Sequence, residues 1–255
     1  MKVFSVFGVS QSGKTTTVEG IIRELMRRGY RVGSIKNIHF QGFAIDTPGT
    51  NTWRHRQAGA EMVVARGLRE TDVLIPRQLS IEEILTFFDQ DYVVIEGISD
   101  TLIPKILCAG DEAEVEEGLN DLVFAISGRI SNRLSNYNDI PVINALSDVE
   151  RLVDLIEDKM TSCLPFIHEV KQCHACGVSC RDLASRILRG KATGTECLAK
   201  NEVVIDVGGQ ELSVDYLRQM HIKNTLIKVL ANLDSYDGDK EFFIEIRKRN
   251  NGMEV

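Results

Sequence analysis

Through the first two-thirds of the chain, short β-branched apolar runs alternate with segments whose apolar residues recur every three to four positions. That alternation predicts a mostly parallel α/β sheet flanked by helices. Val3–Phe7 reads as the first strand, Thr16–Arg28 as an amphipathic helix ending at Gly29, and Arg31–Lys36 as the second strand. Met62–Ala65, Tyr92–Ile95, Leu122–Ile126 and Pro141–Asn144 read as further strands. A helix is expected over Ile81–Asp89, opened by Ser80 with Glu83 at the capping-box spacing. Ser147 precedes another, from Asp148 to about Lys159.

The pattern changes near Thr161–Pro165, which sets an expected boundary between residues 1–162 and a smaller α+β domain of residues 163–255. In the second part, Arg181–Arg189 reads as a helix stopped by Gly190. Val203–Leu212 carries Gly208-Gly209 between short β-prone runs, a hairpin signal. Leu217–Leu233 has helical spacing and Phe242–Ile246 reads as a last strand. Ile21, Ile22, Leu25 and Met26, and likewise Leu226, Ile227, Val229 and Leu230, read as core stripes of their helices.

Composition narrows the function classes. The chain is 43% hydrophobic and 26% charged with a formal net charge of −7, values of a soluble globular protein. From Phe166 onward basic and acidic residues balance, so the acidic excess lies in the first two-thirds. Neither part has the clustered basic residues of a phosphate-backbone binder, and nucleic acid is not an expected partner. No run approaches the roughly 20 apolar residues that span a bilayer. The opening apolar run is too short for a signal peptide, so the expectation is a cytoplasmic protein that does not engage the membrane.

The first strand runs into Gly8-Val9-Ser10-Gln11-Ser12-Gly13-Lys14-Thr15, followed by Thr16, which matches G-x-x-x-x-G-K-[ST] at every fixed position. Glycines at both ends let the loop wrap so that successive N–H groups face phosphate oxygens. The following helix adds its free amides and its positive end. Lys14 is placed to reach the β and γ phosphates of a nucleoside triphosphate, and the Thr15 hydroxyl to ligate Mg2+. A short pattern can match by chance in an unrelated turn, but this one has the strand before it and the amphipathic helix after it. Glu96 closes the apolar run Tyr92–Ile95, at the strand end where ligands of open α/β sheets bind. It is the candidate to hold Mg2+ through water or to polarise an attacking water; a surface acid at a strand terminus is the bland alternative. Between these elements, Lys36-Asn37-Ile38-His39 and the stretch from Asp46 to Arg56 read as polar loops of the switch or substrate-facing kind, with His55 a surface histidine.

Taken together, Gly8–Thr16, Gly29–Gly33, Lys36 with His39, Asp46 with Pro48-Gly49, Arg54, Ala58-Gly59-Ala60, Glu96-Gly97 and Pro104-Lys105 resemble the MobB family, molybdopterin-guanine dinucleotide biosynthesis protein B. The resemblance spans roughly residues 1 to 160. It implies a P-loop NTPase-type fold and a GTP-binding accessory protein of molybdenum (or tungsten) cofactor biosynthesis. It further implies a homodimer with weak GTP hydrolysis, working with a molybdopterin guanylyltransferase-type partner. Lys14, Asp46 and Glu96 are the candidate catalytic residues, Asp46 lying near the γ-phosphate. No Asn-Lys-x-Asp element is present, so GTP over ATP rests on the resemblance alone.

Cys173, Cys176, Cys180 and Cys197 have the spacing C-x2-C-x3-C-x16-C. Three thiolates close together with a fourth returning beyond a helix suit a [4Fe–4S] cluster; zinc and unmetallated thiols are the alternatives. The segment resembles the four-cysteine iron–sulfur domain of corrinoid iron–sulfur proteins. Cys108 and Cys163 read as buried apolar residues. Two other functions stay open on sequence: a redox-gated scaffold that binds nucleotide and cluster without catalysis, and a P-loop kinase of a small molecule.

Overall fold

The computed structural model describes residues 1–162, 176–197, 203–212, 216–231 and 233. Its elements begin β1 (Lys2–Phe7), α1 (Lys14–Arg27), β2 (Val32–Lys36), α2 (Asn51–Gln57), β3 (Val63–Arg66), β4 (Thr71–Leu74), α3 (Ile81–Leu85) and β5 (Tyr92–Glu96). They continue with β6 (Lys105–Cys108), α4 (Glu112–Gly118), β7 (Val123–Ser127), β8 (Asn136–Tyr137), β9 (Ile140–Pro141) and α5 (Val149–Ser162). After these come α6 (Cys180–Leu188), β10 (Ile205–Val207), β11 (Gln210–Leu212) and α7 (Tyr216–Leu230).

Two compact units result: Met1–Lys200 with Asp215–Leu217, and Asn201–Val214 with Arg218–Val255. The first is built on a five-stranded sheet in the order β2-β5-β1-β6-β7, every neighbouring pair parallel. Central strands of such a sheet are covered on both faces and so read as unbroken apolar runs. Accordingly Phe4 and Val6 on β1 and Tyr92, Val93, Val94 and Ile95 on β5 are 0% exposed.

Helix α1 turns Ile21 and Leu25 into the core but leaves Met26 exposed, so the expected stripe is narrower than its sequence. Leu152, Val153 and Ile156 on α5 are fully buried as well. Where α1 meets α5, Arg28 pairs with Glu24 (2.8 Å), Asp154 (2.7 Å) and Glu157 (2.5 Å).

Several elements depart from the sequence reading: α3 stops at Leu85 rather than Asp89, and β4 and α4 were not expected. Lys105–Cys108 is a fully buried strand between β1 and β7, although it opens on a lysine. The Lys105 ammonium donates to the carbonyls of Thr101 and Ile103, which satisfies the charge locally. The polar stretch after Asp46 contains helix α2, capped by Thr50, whose side chain accepts from the Trp53 N–H. Pro141–Asn144 is not a full strand: Ile140–Pro141 pairs with β8, and Val142 makes a single parallel bridge to Ile126.

Outside the main sheet, β3 and β4 form an antiparallel ribbon in which Val64 faces Val73. Both are about half exposed, as is Met62 on the same face. Helix α6 starts on Ser179, whose hydroxyl accepts from Asp182 N–H at 3.0 Å, and ends before Gly190 at φ 68°. In the second unit β10 and β11 pair through Gly208 and Gly209, both at positive φ, as the hairpin signal required. Val229 on α7 is exposed. Cys163, Cys173, the expected boundary beyond residue 162 and the expected strand Phe242–Ile246 lie outside the described residues. Among the described residues no helix is long and apolar enough to cross a membrane.

Candidate functional site

The loop between β1 and α1 is fixed by main-chain contacts on two sides. Gly8 has φ 143°, and a β-carbon there would lie 2.0 Å from the Cys108 carbonyl oxygen. Gly13 has φ 105° and packs against the backbone of Gly128, where β7 ends. Arg129 N–H donates to the Ser12 carbonyl at 3.1 Å, pinning the middle of the loop to that turn. Gln11 takes up a positive φ of 61°. The Ser12 side chain is fully buried, and its hydroxyl has no hydrogen-bond partner among the described residues.

Helix α1 starts bare. Its N-cap is Gly13, with no side-chain capping bond, and its first turn holds no acidic residue. A 14-residue helix therefore presents its unpaired N–H groups and its positive end to the hollow of the loop. That is the constitution of an oxyanion site. The Lys14 ammonium donates to the Val9 carbonyl, folded back over the loop's first half.

Glu96 stands at the carboxyl end of β5, beside Val6 on β1 and Lys36 on β2, and is 6% exposed. Thr15 Oγ1 donates to Glu96 Oε1 at 3.0 Å. Lys36 Nζ donates to the same oxygen. Two hard oxygens at this separation match the edge of a Mg2+ octahedron, about 3.0 Å for ligands at about 2.1 Å. The pair therefore fits Mg2+ in chemistry and in spacing.

Asp46 is not drawn into this group by any of its hydrogen bonds. Its carboxylate accepts from Thr50 and Thr52 hydroxyls, each at 2.9 Å, and from Arg56 at 3.5 Å. Burial raises its pKa, but the bonds from Thr52, Thr50 and the Thr47 backbone together with the Arg56 charge win, and the net shift is downward. Its position organises the start of α2. Arg56 is thereby committed to Asp46, while Arg54 and His55 are exposed. His39 Nε2 lies 3.4 Å from the Gly97 carbonyl and 3.3 Å from Asn37 Nδ2. An open cleft of about 490 Å³ begins at Gly8 and Val9 and continues past His39 and Gly97 toward Glu114 and Glu117 on α4.

The expected cysteine-bound centre finds no support. Among the described residues no group of three or more His, Cys, Asp or Glu side chains is placed to hold a metal ion. Cys180, the first residue of α6, is turned into the core, while Cys176 Sγ donates weakly to the Val178 carbonyl at 3.7 Å. Cys197 is half-buried, and Cys173 lies outside the described residues. Cys108 is the buried residue expected: burial pushes its thiol up to about 12, and Sγ lies 3.5 Å from Thr17 Oγ1.

Sequence reasoning gave no role to the Gly128–Arg129 turn and did not pair Lys36 with Glu96. Lys36 carried a usable signal, since it ends a strand as Glu96 does; strand order then makes them neighbours. No local signal marks the Gly128 contact.

Comparison with known proteins gives consistent results. Residues 3–127 match the family described as MobB, molybdopterin guanine dinucleotide synthesis protein B. A putative molybdopterin-guanine dinucleotide biosynthesis adapter protein from Methanocaldococcus jannaschii is 25% identical over 253 residues, 96% of this chain and 97% of that protein. The adapter protein from Haemophilus influenzae is 30% identical over 151 residues, 55% of this chain and 84% of its own. The crystal structure of Bacillus subtilis MobB superposes with a TM-score of 0.53 at 23% identity, covering 63% of this chain and 98% of that one, a likeness of fold.

Proposed function

Because the chain belongs to the molybdopterin guanine dinucleotide synthesis protein B family, we propose that it is a GTP-binding adapter of molybdenum-cofactor biosynthesis, acting at Gly8–Thr16. The observation that carries the reading is the uncapped start of α1, joined to Lys14 and to the Thr15–Glu96 oxygen pair. Loop amides from Gly8 to Thr16 enclose the β-phosphate. Lys14 exchanges the Val9 carbonyl for β- and γ-phosphate oxygens. Thr15 and Glu96 hold Mg2+, which when bound neutralises charge on the phosphates. Asp46 acts by ordering the segment that leads into α2. Preference for GTP over ATP is the part of this reading that rests on the family resemblance alone.

Hydrolysis on this reading is weak. Arg56 is engaged by Asp46 and would have to leave it to reach the phosphates. The role is then to bind and present the nucleotide to a guanylyltransferase-type partner enzyme. The half-exposed apolar face of the ribbon at Met62, Val64 and Val73 supports a homodimer.

Titration of GTP and ATP in the presence of Mg2+ tests the reading. Wild-type protein is expected to bind GTP more tightly than ATP, and Lys14→Ala to lose about a hundredfold in affinity. Unchanged triphosphate affinity in Lys14→Ala would overturn it.

A further inference from the structure

Lys36 and Thr15 meet on a single atom, Glu96 Oε1. A carboxylate only 6% exposed needs a compensating charge, and in this arrangement the Lys36 ammonium is the cation that supplies it. Lys14, the other ammonium of the site, is turned away onto the Val9 carbonyl. The oxygens of Thr15 and Glu96 are the pair that fits a divalent ion. Lys36 therefore occupies the very oxygen that such an ion would need.

We propose that Lys36 is a built-in counter-cation of the nucleotide site, pairing with Glu96 Oε1 to fix the carboxylate's orientation and yielding it when metal-bound triphosphate arrives. This rests on the reading of Thr15 and Glu96 as the metal's residues. Lys36 is a positioning residue, acting through Glu96. Its side chain is half exposed, so the ammonium can swing into water while the backbone stays paired. The Asn37 N–H still donates to the Glu96 carbonyl at 2.9 Å and keeps β2 in register. The exchange has two consequences. An ammonium at Oε1 disfavours a free divalent ion by like-charge repulsion, so the site does not load with metal ahead of nucleotide. Release of Lys36 also frees the residue from which the Asn37–Gly49 segment departs.

The test is Mn2+ binding to the full chain without nucleotide, read as loss of the free-ion electron paramagnetic resonance signal. Lys36→Met is expected to tighten Mn2+ binding about tenfold over wild type, and Lys36→Arg to restore the weak wild-type value. Adding Glu96→Gln to Lys36→Met should abolish the gain. Unchanged Mn2+ affinity in Lys36→Met overturns the proposal. So does an equal loss of triphosphate affinity with and without metal, which would make Lys36 a phosphate ligand. Should Lys36→Met fail to fold, Lys36→Gln carries the same expectations. Triphosphate binding by Lys14→Ala is measured alongside: its loss together with an unchanged Mn2+ result sinks this inference alone, whereas its retention sinks the nucleotide site itself.

Discussion

The carbonyl oxygen of Cys108 sits 2.0 Å from where a β-carbon on Gly8 would be, so β6 closes directly onto the first residue of the phosphate loop. Both partners are backbone, and neither can rotate away as a side chain would. Gly8→Ala should destabilise the protein by about 2–4 kcal/mol and lower triphosphate affinity by at least tenfold. Thermal unfolding and nucleotide titration would check both. Gly29→Ala is the control: its φ is also positive, at 89°, but no atom lies near the added carbon, so only the stability loss is expected.

Thr15 separates metal from phosphate. Thr15→Val keeps the shape and removes the hydroxyl that reaches Glu96. Affinity for GTP with Mg2+ should fall about tenfold or more, while affinity measured with a chelator present should barely change. Equal losses in the two conditions would assign the hydroxyl to phosphate instead.

Glu24 gives the α1–α5 contact a pH dependence. Hydrogen bonds from Arg27 and then Arg28 lower its pKa from the model-compound value of 4.5 to about 2. With the folded value below the unfolded one, its contribution is fully present above about pH 4.5 and is lost as pH falls toward about 2. Glu24→Gln should therefore lower the melting temperature at pH 7 and bring it closer to that of wild type near pH 3. A difference independent of pH would count against this account.

Cys108 should be chemically silent in the native state. Its thiol is 1% exposed and pushed up to about 12 by burial, so little thiolate exists at pH 8. Alkylation followed by mass spectrometry should label the half-buried Cys176 and Cys197 first, and Cys108 only at the rate of unfolding. Early modification of Cys108 would contradict the packing.

The strands flanking the site were legible because burial on both faces leaves an apolar run with little else to mean. Val3–Phe7 and Tyr92–Ile95 are of that kind, and the glycine-rich loop between strand and helix announced itself by spacing. Lys105–Cys108 was hidden because its lysine is satisfied by carbonyls of the preceding turn, a local accommodation that composition does not reveal. Helix α2 was hidden for the opposite reason: it buries no residue, so no apolar stripe marks it. Glu96 could be nominated from its place at a strand end, whereas Lys36 needed the strand order, a long-range fact. The cysteine spacing could suggest convergence but not establish it, since spacing does not fix where a thiol points: Cys180 is buried in the core while Cys176 lies against the Val178 carbonyl.

The bare start of α1 has a practical corollary for anyone weighing this protein's affinity. A cradle of free amides does not discriminate sharply among small oxyanions, so sulfate or inorganic phosphate in a buffer will compete for the same seat. Triphosphate binding measured in such media will look weaker than it is, and the discrepancy should grow with the concentration of the competing salt.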